Sequence, residues 1–180
     1  YIKELLDDLD LMRIRQVLQY DNCDSLSIAD ANSYLYSIFD RHFFQIRKSD
    51  DYPALLQEMA QQIEESGYGG EHYAQYVMER ESYMSTIYMN GVCIPHPIEI
   101  CANRNLISVC ILEEPICYED KQASIIFMVS LTKEDYEVHK DITKKLYQLM
   151  NDEKRLQRVL RNRTLEELLI VMKELDGGTL

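Results

Sequence analysis

Apolar residues recur at helical spacing through several stretches of this chain and in short unbroken runs through others, so helices and buried strands alternate along it. Residues 2–18 predict an amphipathic helix with Ile2, Leu5, Leu6, Leu9 and Met12 on one side, and residues 21–31 are polar and turn-rich. Residues 34–46 form an apolar, aromatic run. A helix is predicted over 52–65, with Pro53 in its first turn and Gly67 past its end, positions that suit a fixed φ and a left-handed residue respectively. Further helices are predicted over 71–83, 134–150 and 165–175, the last opened by a capping box of Thr164 and Glu167. Strand runs lie at 92–94, 107–112 and 124–129, with Asn90-Gly91 as a turn signal before the first. Strands interleaved with helices imply an α/β domain with a mixed β-sheet flanked by helices. Gly67, Gly69 and Gly70 mark a turn and not a phosphate-cradling loop, and the sequence has no internal repeat or low-complexity tract.

Composition narrows the class. The 180 residues are 46% hydrophobic and 28% charged, ordinary for a globular protein and enough for one good core plus an extension. A formal net charge of −12 argues against direct nucleic-acid contact by this segment, which would need a basic stripe. Cys23, Cys93, Cys101, Cys110 and Cys117 include no C-x-x-C pair and sit mostly in apolar runs, as small buried hydrophobes do, so neither a metal nor a disulfide framework is expected. A Cys93/His96 nucleophilic pair is a poor candidate, because i and i+3 in a strand project to opposite faces. Without a signal peptide or a membrane-length apolar run, the expectation is a cytoplasmic protein with no membrane contact.

Chemistry concentrates in the segment ERESYMSTIYMNGVCIPHP, residues 79–97. Pro95 and Pro97 each lack a backbone N–H, so a central strand cannot run straight through His96, and the imidazole belongs at a strand end. There it is either a nucleophile held in one tautomer or a residue that merely caps the strand. Arg80 falls sixteen residues earlier on the 71–83 helix. It is a planar fork able to hold two phosphoryl oxygens, or one charge of a solvated face shared with Glu71, Glu79 and Glu81. His139 shares a helical stripe with Ile142, Leu146 and Leu149, which fits both a satisfied core histidine and a hydrogen-bond donor to a site.

The order Arg80-Glu81, Ser85-Thr86 and Gly91-Val92-Cys93-Ile94-Pro95-His96 resembles the signature of the mannitol/fructose-type enzyme IIA domains of the bacterial phosphotransferase system. Ser66-Gly67-Tyr68 with Tyr73 and Val77 resembles that family's lead-in to its arginine helix, and 135–146 resembles its helix with a second histidine. The resemblance covers about residues 38–176 and implies a mannitol/fructose-type enzyme IIA-like fold. It implies that His96 accepts a phosphoryl group from the histidine phosphocarrier protein and passes it to a cysteine of an enzyme IIB domain. Arg80 would steady the phosphoryl group, His139 would be the auxiliary histidine, and Thr86 would orient an imidazole or a phosphate oxygen. No cofactor or metal is implied. Two positions depart from the family pattern: Met89 stands where glycine is frequent, and Cys93 where alanine is.

Two expectations about the larger protein follow. In one, residues 1–37 are an N-terminal helix and linker from an upstream domain, and 38–176 is the phosphoacceptor domain at the C-terminus of a BglG-type transcription antiterminator or activator, which forms a homodimer at full length. The leading helix, the Pro97 after His96 and the ending at Asp176-Gly177-Gly178 favour it. In the other, the domain is an enzyme IIA component of a mannitol/fructose-type sugar transporter. A third reading, an interaction module without activity, rests on Met89 at the loop where a partner would dock.

Overall fold

The computed structural model describes residues 35–176. The helix predicted over 2–18 and the turn-rich stretch 21–31 lie outside the described residues. The run 34–46 resolves into a helical turn at 35–37, a 3₁₀ turn Arg41–Phe43 and strand β1, Phe44–Arg47. Helix α1, Tyr52–Glu65, begins as expected with Pro53 in its first turn, and the Asp51 side chain, not singled out from the sequence, caps it by accepting from Ala54 N. Helix α2, Tyr73–Tyr83, starts two residues later than the spacing predicts, from His72 in the left-handed region at φ 67°.

Strands β2, Val92–Cys93, β3, Leu106–Tyr118, and β4, Lys121–Ser130, complete a sheet of order β1-β3-β4-β2. The central pair β3–β4 is antiparallel, while β1 runs parallel to β3 and β2 parallel to β4. The mixed sheet expected from the sequence is thus present, and its central hairpin is longer than the apolar runs suggest. Glu113, Glu114 and Pro115 lie exposed at a register shift between Ile111 and Ile116, where a bulge accommodates a proline with no N–H to donate. Glu119 then turns the hairpin at φ 51°.

Both sheet faces are covered. Ile107, Val109 and Ile111 of β3 face one hydrophobic cluster, Leu106, Cys110 and Leu112 the other, as the two-residue period of a doubly buried strand requires. The first cluster is closed by helices α3, Tyr136–Asn151, α4, Glu153–Asn162, and α5, Leu165–Glu174; the second by α1 and α2. Helix α4 lies outside the elements expected above, although Leu156, Val159 and Leu160 fall at helical spacing. Only Leu156 and Val159 of it are buried, and its polar face is held by ion pairs of Arg155 with Asp152 and Glu174 and of Arg158 with Glu167 and Glu174.

Lys145 of α3 is 4% exposed. Its ammonium pairs with the Asp176 carboxylate and donates to the Met172 carbonyl at 3.3 Å, so the buried charge is compensated. The Tyr36 hydroxyl donates to the same carboxylate at 2.5 Å, and its ring lies 5.5 Å from the Lys145 ammonium.

Candidate functional site

The two prolines around His96 stop β2 at Cys93, and the loop that follows is fixed by hydrogen bonds outside the sheet ladder. Ile94 N donates to the Thr86 carbonyl at 3.0 Å, Val129 N to the Pro95 carbonyl at 2.9 Å, and Ile98 N to the Tyr76 carbonyl at 3.1 Å. The loop is therefore stitched to the 86–87 segment, to β4 and to α2. Tyr76 lies one turn before Arg80 on α2, and the Tyr73 hydroxyl of the same helix donates to the Val129 carbonyl at 2.8 Å. Fixed φ at the prolines and three external anchors leave the imidazole little freedom of placement.

His96 is half-buried, and its Nδ1 lies 2.9 Å from the Ile94 carbonyl. A carbonyl only accepts, so Nδ1 carries the proton and Nε2 carries the lone pair. His96 lines a cavity of about 530 Å³ together with Ile94, Val129, Leu131, Ile142 and His139. The two imidazoles predicted from the sequence thus share one mostly apolar cavity. His139 turns its Nε2 onto the Thr132 carbonyl at 2.7 Å, which by the same reasoning is a donated N–H. It sits at the edge of the apolar stripe, half-buried, with fully buried Ile142 and Leu146 below it. Tyr88, Ile98, Ile100 and Tyr147 also line the cavity yet are 39–62% exposed, forming an apolar rim.

Arg80 and Thr86 do not line this cavity. Arg80 is in the last turn of α2, where its guanidinium donates to the Met84 carbonyl at 2.9 Å. Among the described residues no carboxylate lies within 4.0 Å of it, so the expected charged face with Glu71, Glu79 and Glu81 is not formed by direct ion pairs. Its neighbour Glu81 faces elsewhere: its carboxylate accepts from Thr86 N at 3.0 Å and from the Thr86 hydroxyl. Thr86 is completely buried, with its carbonyl on Ile94, so it acts on the His96 loop through the backbone. Burial pushes the Cys93 thiol up to about 12, which keeps it protonated beside this site at neutral pH.

The sequence pairs Glu81 with Arg80 but gives no sign that Glu81 holds Thr86. Nor does it single out Asn105, Thr132 or Asp135, which surround the partner carbonyl of His139. The spacing of Thr132 and Asp135 ahead of α3 resembles a helix-start signal, although the Asp135 side chain caps no α3 N–H.

Comparison with known proteins identifies the family and the fold. The family described as "Phosphoenolpyruvate-dependent sugar phosphotransferase system, EIIA 2" matches residues 37–175. The "Probable licABCH operon regulator" of Bacillus subtilis (strain 168) is 24% identical over 169 residues, 93% of this chain and 25% of that protein. "Transcriptional regulator ManR" of the same organism is 27% identical over 92 residues, 51% of this chain and 14% of that protein. The chain therefore spans a quarter or less of the length of these curated relatives. Among solved structures, enzyme IIAMTL in its complex with phosphorylated enzyme IIBMTL from Escherichia coli superposes with a TM-score of 0.63 at 16% identity, covering 76% of this chain and 99% of that one. The crystal structure of IIA mannitol from the same organism gives 0.60 at 17% identity, covering 73% and 96%. The nitrogen regulatory protein IIA-Ntr from Neisseria meningitidis gives 0.63 at 16%, covering 77% and 99%.

Proposed function

The chain belongs to the EIIA 2 family of the phosphoenolpyruvate-dependent sugar phosphotransferase system, and from that premise we propose that it is a phosphoacceptor domain, reversibly phosphorylated on Nε2 of His96, that regulates a transcription antiterminator or activator. The observation that carries the assignment of His96 is its tautomer: Nδ1–H is held on the Ile94 carbonyl, and Nε2 keeps its lone pair in a ring that lines a cavity with a second histidine.

The step follows from that geometry. The Nε2 lone pair forms a bond to phosphorus as the N–P bond of a phosphohistidine donor breaks, and that bond's electron pair stays on the donor nitrogen. No proton need leave His96, because Nδ1–H remains on its carbonyl. The transition state spreads negative charge over the equatorial oxygens, so positioning and electrostatics do the catalytic work. Arg80, with one hydrogen bond to Met84 and no carboxylate within 4.0 Å among the described residues, has donors to offer a phosphoryl oxygen. His139 serves as the auxiliary donor, and Thr86 with Glu81 holds the loop. The donor is the histidine phosphocarrier protein, and a cysteine of an enzyme IIB domain is an onward acceptor. Both partners fit an apolar rim of Tyr88, Ile98, Ile100 and Tyr147 around the cavity.

The regulatory reading is supported by the two curated relatives, both named as regulators. It assigns residues 1–37 to a connector from an upstream domain and 38–176 to the phosphoacceptor, in a cytoplasmic protein that dimerises at full length. Among the described residues no helix is long and apolar enough to cross a membrane.

The test is intact mass after incubation with phosphoenolpyruvate, enzyme I and the phosphocarrier protein. An acid-labile gain of one phosphoryl group is expected in the parent chain and not in His96→Ala. Full labelling of His96→Ala refutes the assignment, and an unlabelled parent beside an active control refutes the activity. Addition of an enzyme IIB domain then separates the readings: rapid drainage of the label onto its cysteine favours a transporter component.

A further inference from the structure

We propose that Asn105 and Asp135 are positioning residues for His139, clamping Thr132 so that its carbonyl holds the histidine as the Nε2–H tautomer. This deepens the phosphoacceptor reading and rests on it for the part His139 plays in transfer. The clamp has two sides. Thr132 N donates to Asn105 Oδ1 at 2.7 Å, and the Thr132 hydroxyl donates to Asp135 Oδ2 at 3.3 Å. The same Asp135 oxygen accepts from Asn105 Nδ2 at 2.5 Å, which closes a ring of three hydrogen bonds. His139 Nε2 donates to the Thr132 carbonyl at 2.7 Å, and His139 N donates to the Asp135 carbonyl at 3.1 Å.

The topology explains why these residues meet. Leu106 pairs with Ser130 at the open end of the β3–β4 ladder, so Asn105 and the residues just past Ser130 lie side by side. Asp135 is the residue before α3, which carries His139 one turn later. The clamp faces a second, polar cavity of about 360 Å³ whose walls include Asp40, Arg104, Asn105, Thr132 and Asp135 and share no residue with the histidine cavity. Held at its N–H and at its hydroxyl, half-buried Thr132 has its Cα and side chain fixed, so that ψ alone is left to aim its carbonyl, and a carbonyl kept facing the imidazole selects the tautomer that donates to it. His139 is thereby left with a lone pair on Nδ1, the nitrogen available to take a proton and donate to a phosphoryl oxygen.

The experiment is imidazole ¹⁵N NMR on this chain, with phosphoryl transfer measured on the same samples. The parent should show His139 as a single Nε2–H tautomer. In Asn105→Ala and in Asp135→Ala the two nitrogen resonances should converge as tautomers mix, whereas Asp135→Asn, which keeps an acceptor oxygen, should hold the parent pattern. Transfer in Asn105→Ala should fall by about two- to tenfold, the equivalent of one ordinary hydrogen bond. The double variant Asn105→Ala/His139→Ala should be no slower than His139→Ala, because the clamp acts through the histidine. A tautomer mixture in the parent, unchanged resonances in Asn105→Ala and Asp135→Ala, or a double variant slower than His139→Ala overturns the proposal. Failure of the phosphoacceptor reading would show separately, as labelling that survives His96→Ala while the tautomer measurement still decides the clamp.

Discussion

Replacing Thr86 with valine removes one hydroxyl and nothing of comparable size. That hydroxyl donates to the Glu81 carboxylate from a residue with no exposed surface, a hydrogen bond to a charged group. Such bonds contribute about 1.5–3 kcal/mol, and the added methyl returns a fraction of that by apolar burial, so the expected loss is about 2 kcal/mol. For a chain of this size each kcal/mol moves the melting temperature by about 2–4 °C, which predicts a fall of about 4–8 °C in thermal unfolding followed by circular dichroism at pH 7. The change is local: Thr86 N still donates to Glu81, and the Thr86 carbonyl still accepts from Ile94 N, so the fold should survive. A double-mutant cycle with Glu81→Gln isolates the pair, and a coupling above about 0.5 kcal/mol is expected for residues in one network. A Thr86→Val melting temperature within 1 °C of the parent, or a cycle with no coupling, would refute the view that Glu81 is the anchor of the His96 loop.

Arg80→Lys replaces a fork by a point charge at a group that forms no direct ion pair among the described residues, so quench-flow transfer from the phosphocarrier should slow by about tenfold or more; a rate within twofold of the parent counts against the phosphoryl contact. Gly70→Ala should destabilise the fold by about 2–3 kcal/mol in urea unfolding, since a Cβ there would lie 1.9 Å from the Cys101 carbonyl oxygen; unchanged stability would mean that this backbone approach is looser than it is drawn. Asp152, Glu166 and Glu174 have carboxyl pKa values held below the ordinary range, Asp152 by hydrogen bonds from the Arg155 backbone and side chain, Glu166 by a backbone hydrogen bond and Glu174 by Arg158. Folded values below unfolded ones mean that their stabilisation is full above the unfolded range near pH 4 and is lost as pH falls through the folded values. Glu174→Gln should therefore lower the melting temperature at pH 7 and converge on the parent as pH falls through the folded value; a gap that persists in strong acid would locate the effect in packing.

What the chain's own residues disclose depends on how far each signal lies from its partner. Helix α1 and the Thr164 cap of α5 are readable because their punctuation is local: Asp51 bonds Ala54, and Thr164 bonds Glu167. Helix α4 carries a local signal as well, Leu156, Val159 and Leu160 at helical spacing behind the Asp152 cap; what its own residues do not disclose is the pairing of its polar face with Glu167 and Glu174, which come later in the chain. The hairpin is longer than its apolar runs because Glu113–Pro115 reads as a strand breaker, yet a bulge carries the ladder past it. At the site, the motif gives His96 and Arg80, but not the Ile94 carbonyl that sets the tautomer or the diversion of Glu81 to Thr86. Both are contacts of folded backbone. His139 is legible as a histidine on an apolar stripe, whereas its link to Asn105 through Thr132 exists only once β3 and β4 are in register.

The cluster of Tyr36, Lys145 and Asp176 has a mechanical meaning. Tyr36 and Asp176 are separated by 140 positions in sequence and joined by one hydrogen bond, with the Lys145 ammonium on the same carboxylate. A pull applied to the two ends of the described chain therefore loads this contact before it loads the sheet, whose inner strands lie behind it. The tie would yield first and the strands later, so stretching should proceed in two stages, with the early one sensitive to Asp176→Asn and the later one indifferent to it. Tension arriving from either flank would meet this carboxylate, and the Lys173 ammonium 5.3 Å from the Tyr36 ring, before it reached the histidines.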